Sequence, residues 1–285
     1  METTRKIHRV INRKPTLEGA GVHLNRVFGF HEPQGFDPFL LLDDFRSDVP
    51  ENFLKGFPWH PHRGIETITY ILSGTVEHAD SLGNSGVIGP GDVQWMTAGS
   101  GIIHQEMPKG DPAGKMGGFQ LWANLPATNK MMEPRYREVK SVQIALVNAK
   151  SGASIRVICG EVEGTIGPVR DIITDPEYLD VTLSPGAEFS HPTSNDHTVL
   201  AYVIEGQVYF DAEKKTPVSN GELAQFEAGE KVVAFASDVT ARFLFLSGKP
   251  IGEPVAWYGP IVMNTQRELQ IAFEEYSNGT FIKHK

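Results

Sequence analysis

Two blocks of this sequence occur twice, in the same order and at nearly one spacing. Tyr70-Ile71-Leu72-Ser73-Gly74 returns 132 residues later as Tyr202-Val203-Ile204-Glu205-Gly206. Gly91-Asp92-Val93-Gln94-Trp95, followed by Ala98-Gly99, returns 130 residues later as Gly221-Glu222-Leu223-Ala224-Gln225, followed by Ala228-Gly229. A repeat of this kind points to two copies of one structural unit. The unit reads as β structure. Thr67–Leu72, Val199–Ile204, Val232–Phe235 and Arg242–Leu246 are β-branched or aromatic runs, and the first two end at a glycine turn. Short strands with close-set turns make a sandwich or barrel, and 29 Gly and 19 Pro supply the turns. The expected domains are 1–130 and 131–285, with a linker rich in charge and Met around Met131–Arg137. The clearest helical pattern begins at a cap on Asn264 or Thr265, runs through Tyr276 and stops at Asn278-Gly279.

Against this β background the histidines stand out. His60 and His62 are two residues apart, and in an extended chain residues i and i+2 share a face. His104 and Glu106 repeat the spacing about forty residues on, where a paired strand brings them to the same spot. Three neutral imidazoles and a carboxylate suit Fe, Mn, Ni, Cu or Zn. By spacing alone Glu66 is a second candidate for the carboxylate. The single cysteine excludes a structural zinc site built on several thiolates. Cys159 closes the apolar run Ile155–Cys159 and is expected to be a small buried residue. His8, His23, His31, His78 and His284 are read as surface or satisfied core residues.

With 26 Lys+Arg against 35 Asp+Glu, the net charge of −9 argues against direct nucleic-acid contact. No apolar run reaches membrane-spanning length and no apolar leader follows Met1, so an intracellular, cytoplasmic protein is expected.

A glycine, an HxH pair, a downstream Glu and a later glycine resemble the first cupin motif, and Gly91…Gly99…His104 resembles the second. Thr97 stands at the usual proline, and His104 falls two residues late. A narrower resemblance accounts for these departures. Phe57-Pro58-Trp59-His60-Pro61-His62-Arg63-Gly64-Ile65-Glu66 resembles the first motif of the pirin family, and Gln94-Trp95-Met96-Thr97-Ala98-Gly99 through His104-Gln105-Glu106 resembles its second. Phe119–Pro126 and Gly259–Thr265 resemble later pirin segments.

The resemblance implies an all-β fold of two jelly-roll-type cupin barrels packed face to face. It implies one Fe(2+) in the N-terminal barrel, held by His60, His62, His104 and Glu106, with Glu66 behind the ligands. It also implies a quercetin 2,3-dioxygenase-type oxygenase, in which O2 opens a flavonol ring and Glu106 serves as catalytic base. Phe57, Trp59, Trp95, Met107 and Trp122 are candidates for an apolar substrate pocket. The alternative is an iron- or redox-dependent regulatory protein acting through a protein partner that the sequence does not name. Carried through the repeat, His60 and His62 fall on Pro192 and Ser194, and His104 and Glu106 on Ala234 and Ala236. The C-terminal barrel is therefore expected to hold no metal and its tail to pack back on the first barrel. A monomer is expected.

Overall fold

The computed structural model describes residues 3–284; Met1, Glu2 and Lys285, the ends of the two expected domains, lie outside the described residues. Among the described residues strands dominate, with one α-helix at Gln266–Ser277. Thr265 caps that helix through a reciprocal box with Glu268.

The chain divides into two compact units. The first comprises residues 14–141 and 251–285. Its larger sheet has seven strands, in the order Arg135–Val139, Val93–Thr97, Ile65–Ser73, Gly117–Asn124, Phe39–Asp44, Val22–Phe28 and Lys14–Glu18. Its smaller sheet has four, in the order Phe57–His62, Ile102–Lys109, Thr75–Asp80 and Ser85–Ile88. Ile65–Ser73 lies inside the sheet and is buried over its first seven residues, which is why, apart from Glu66, these are apolar, aromatic or β-branched.

The second unit repeats this plan. Its seven-stranded sheet runs Ile7–Asn12, Glu222–Phe226, Thr198–Glu205, Ala241–Gly248, Glu177–Leu183, Ala153–Cys159 and Ala145–Asn148. Its four-stranded sheet runs Glu188–Pro192, Lys231–Ala236, Gln207–Tyr209 and Pro217–Ser219.

Three features differ from the sequence reading. The sheets do not close into barrels among the described residues; each unit is an open two-sheet sandwich. Pro15, Pro58 and Pro61 in the first unit and Pro192 and Pro217 in the second lie in edge strands, and Pro108 lies past the end of its neighbour Phe57–His62; a residue without an N–H suits an unpaired edge. The expected linker is partly a strand, since Arg135–Val139 pairs with Val93–Thr97. Finally, the units are interleaved in the chain rather than divided at residue 130. Ile7–Asn12 pairs with Glu222–Phe226 in the second unit, whereas residues 251–285 belong to the first.

The repeat also aligns differently from its two sequence blocks. In the first unit His60 faces His104 across the ladder and His62 faces Ile102. In the second, Phe189 faces Ala234 and His191 faces Val232. The strand Glu188–Pro192 takes the place of Phe57–His62 in the plan, and it carries Phe189, His191 and Pro192, whereas Ser194 lies in the connection after it. The connection after the edge strand is longer in the second unit, residues 193–197 against 63–64, and this shifts the spacing. His191 pairs with Glu177 at 2.8 Å. Phe189, Phe210, Phe226, Phe243 and Phe245 fill the interior of that unit. Cys159 is buried.

Candidate metal centre

Antiparallel pairing of Phe57–His62 with Ile102–Lys109 brings the three histidines together. Their candidate ligand atoms all lie within 4.8 Å of one another. His60 Nε2 is 3.1 Å from His62 Nε2 and 2.9 Å from His104 Nε2. The other ring nitrogens define the tautomers. His60 Nδ1 lies 2.9 Å from the Pro58 carbonyl and His62 Nδ1 lies 3.1 Å from the Pro260 carbonyl. A carbonyl can only accept, so both Nδ1 atoms carry the proton and both Nε2 lone pairs are free. Burial pushes His62 and His104 well below the ordinary histidine range, and the neighbouring imidazoles add to the shift. The rings of His62 and His104 are therefore neutral at neutral pH. The Nε2 lone pairs of His60 and His62, 3.1 Å apart, repel one another, and a cation relieves that repulsion. An ion about 2.1 Å from each nitrogen sets right-angled neighbours about 3.0 Å apart, so the residues fit a metal.

Glu106 is buried and lies outside the tight histidine group. Its carboxylate accepts from Thr69 Oγ1 at 3.0 Å and Gln120 Nε2 at 3.2 Å. It lines the same cavity as His60 and His62. Glu66 does not: it accepts from Thr97 Oγ1 at 2.6 Å and, by strand alternation, points to the sheet face opposite Thr69. His78, read from sequence as an ordinary histidine, is buried with its ring 5.5 Å from that of His104 and stacked on Tyr136 at 4.9 Å.

The cavity has a volume of about 760 Å³, within the range of small-molecule sites. Phe57 and Trp122 line it, and Trp122 meets His62 edge-on at 5.0 Å. The other three pocket candidates do not. Trp59 alternates outward from its strand and is 51% exposed. Trp95 pairs with Ile68, on the face opposite Thr69. Met107 alternates away from Glu106 and Pro108 and packs under the turn at Gly56. The missing wall comes from the tail, residues Trp257–Pro260. Only the resemblance of Gly259–Thr265 to a pirin segment hinted at it. Among the described residues, no helix is long and apolar enough to cross a membrane.

The chain matches the family described as Pirin over residues 21–123, and the Pirin C-terminal cupin domain over residues 178–282. A pirin-like protein of Caulobacter vibrioides is 44% identical over 278 residues, covering 97% of this chain and 99% of that one. A Pseudomonas aeruginosa protein with the provisional name quercetin 2,3-dioxygenase is 43% identical, covering 93% and 94%. The crystal structure of quercetin 2,3-dioxygenase from Acinetobacter baumannii superimposes with a TM-score of 0.89 at 31% identity, over 98% of each chain.

Proposed function

The chain belongs to the pirin family, and from that premise we propose that it is a cytoplasmic mononuclear iron oxygenase of the quercetin 2,3-dioxygenase type. The observation that carries the proposal is the convergence of three histidine Nε2 atoms beside a largely apolar cavity that His60 and His62 line. In this reading His60, His62, His104 and Glu106 hold Fe(2+). Iron would supply a redox-active Lewis acid at which a flavonol and O2 react, opening the central ring with loss of carbon monoxide.

The chain's own residues do the rest. The Pro58 and Pro260 carbonyls hold the His60 and His62 rings in the tautomer that presents Nε2. Thr69 and Gln120 orient the Glu106 carboxylate, which accepts the proton of the substrate's hydroxyl. Phe57, Trp122 and Trp257 wall the cavity with flat apolar surface and keep water from the reacting ring.

Two measurements test this. Protein reconstituted anaerobically with Fe(II) is mixed with quercetin and then O2; the expected result is loss of the flavonol with release of one carbon monoxide per turnover. Quercetin that neither binds nor is consumed would instead favour the regulatory reading. Separately, Glu106→Gln is expected to lower iron affinity about tenfold or more, and Glu66→Gln by much less. The reverse order, read by metal titration, would move the carboxylate ligand to Glu66.

A further inference from the structure

A row of polar side chains crosses the floor of the cavity at one register level. Thr69 faces Gln120 across the ladder, Gln120 faces Asp43, and Asp43 faces Arg26. These residues come from four adjacent strands, and all four line the cavity together with Glu106 at one end and Glu18 at the other. Most of their same-face neighbours are apolar, among them Leu24, Leu41, Phe45 and Trp122. Adjacent strands lie about 4.8 Å apart, so Asp43 stands about 10 Å from Thr69 along the row. Thr69 touches Glu106, and the row therefore leads from the metal end of the cavity to a buried ion pair.

That pair is built to accept. Arg26 grips Asp43 through Nε to Oδ1 at 2.9 Å and NH2 to Oδ2 at 2.8 Å, and reaches Glu18 through NH1 at 2.8 Å. One guanidinium is thus answered by two carboxylates, which leaves no cationic charge to recruit an anion. Each Asp43 oxygen takes one bond from Arg26 and keeps a further lone pair. Burial raises Asp43 to about 6 against the pull of Arg26, so it is a carboxylate at neutral pH. A buried ion pair in an otherwise apolar wall adds little net stability over apolar residues of the same volume.

We propose that Asp43, braced by Arg26, is a specificity-determining acceptor for a hydroxyl on the end of a flat aromatic ligand remote from the histidines. The proposal rests on the oxygenase reading above and narrows it to polyhydroxylated aromatics that donate at both ends. A carboxylate or phosphate at the distal end is disfavoured by the same geometry.

The test compares quercetin, which carries ring hydroxyls at both ends, with 3-hydroxyflavone, whose single hydroxyl is on the central ring. Binding to Fe(II)-loaded protein is measured by titration under nitrogen, so no turnover is needed. The parent chain is expected to prefer quercetin by about tenfold or more, the size of a hydrogen bond to a charged group. In the double variant Arg26→Met, Asp43→Leu, which replaces both partners with apolar residues, the ratio of affinities is expected to fall to near one. Asp43→Asn, which keeps the volume, is expected to cut the ratio severalfold. A general loosening of structure lowers both affinities and leaves the ratio standing. An unchanged ratio in the variants, or no preference in the parent chain, overturns the role of Asp43 alone. Failure of both flavonols to bind the parent chain overturns the oxygenase reading with it.

Discussion

His104→Ala is expected to purify and reconstitute without stoichiometric metal, under conditions in which the parent chain holds one ion per chain. His104 is fully buried and lies directly across the ladder from His60. It contributes the Nε2 atom 2.9 Å from His60 Nε2, and no other side chain in the tight group can replace it. Loss of a supporting hydrogen bond already costs about 10- to 100-fold in metal affinity, so loss of a ligand atom is expected to exceed the upper figure. The metal-free variant should still fold, because truncation removes a ring whose Nε2 meets only another imidazole, and His60 keeps the Pro58 carbonyl and His62 as partners. The His104 Nδ1 makes no hydrogen bond in the parent structure. Elemental analysis after Fe(II) reconstitution reads the first effect. Melting with and without a chelator reads the second: the parent's midpoint falls when metal is withdrawn, since an ion that binds only the folded chain stabilises it, and the variant's does not move. A folded His104→Ala protein that retained one iron would remove His104 from the site.

The histidine cluster was legible in the sequence because strand geometry converts spacing into direction. Two i,i+2 pairs need only one antiparallel pairing to meet, and the ladder supplies it. The duplicated β blocks were legible for a similar reason, since the two units do share one strand plan. What failed depends on distant partners that no local spacing marks. Arg135–Val139 looked like a charged linker because an edge strand needs only one apolar face, and its pairing with Val93–Thr97 leaves no local trace. His62 was carried onto Ser194, which lies outside the edge strand, because five residues, not two, connect that strand to the next. Trp59, Trp95 and Met107 were chosen for side-chain type near the motif, and alternation sends each of them away from the cavity. The polar row was invisible for a plainer reason. Thr69, Gln120, Asp43 and Arg26 lie on four different strands, and only the registers of three strand pairs bring them into line.

The tail supplies the second large effect. Gly64→Ala is expected to destabilise the protein by about 3–5 kcal/mol, combining left-handed backbone strain with overpacking. Gly64 has φ +78°, and a Cβ there would lie 2.0 Å from the Val262 carbonyl oxygen. That oxygen is not free to retreat. It accepts from Lys130 Nζ at 3.1 Å, and Lys130 also binds the Gly64 carbonyl at 2.9 Å and Asn124 Oδ1 at 2.7 Å. The Val262 amide donates to the Arg63 carbonyl at 3.1 Å. Arg63, itself buried, reaches Ser100, Glu275 and the Phe281 carbonyl through its three nitrogens. An added methyl group must therefore push the whole segment, and Pro260 with it. His62 then loses the acceptor that orients its ring, so metal affinity is expected to fall about 10- to 100-fold beside the stability. Calorimetry should show a midpoint lower by about 10 °C. Gly279→Ala separates the two causes. Gly279 has φ +72° with nothing within 4 Å of its would-be Cβ, so it carries the strain without the clash. Its cost is expected to stay near 1 kcal/mol, with metal affinity unmoved. Equal losses in the two variants would mean that strain alone sets the cost and that the seat of the tail on Gly64 does not hold His62 in place.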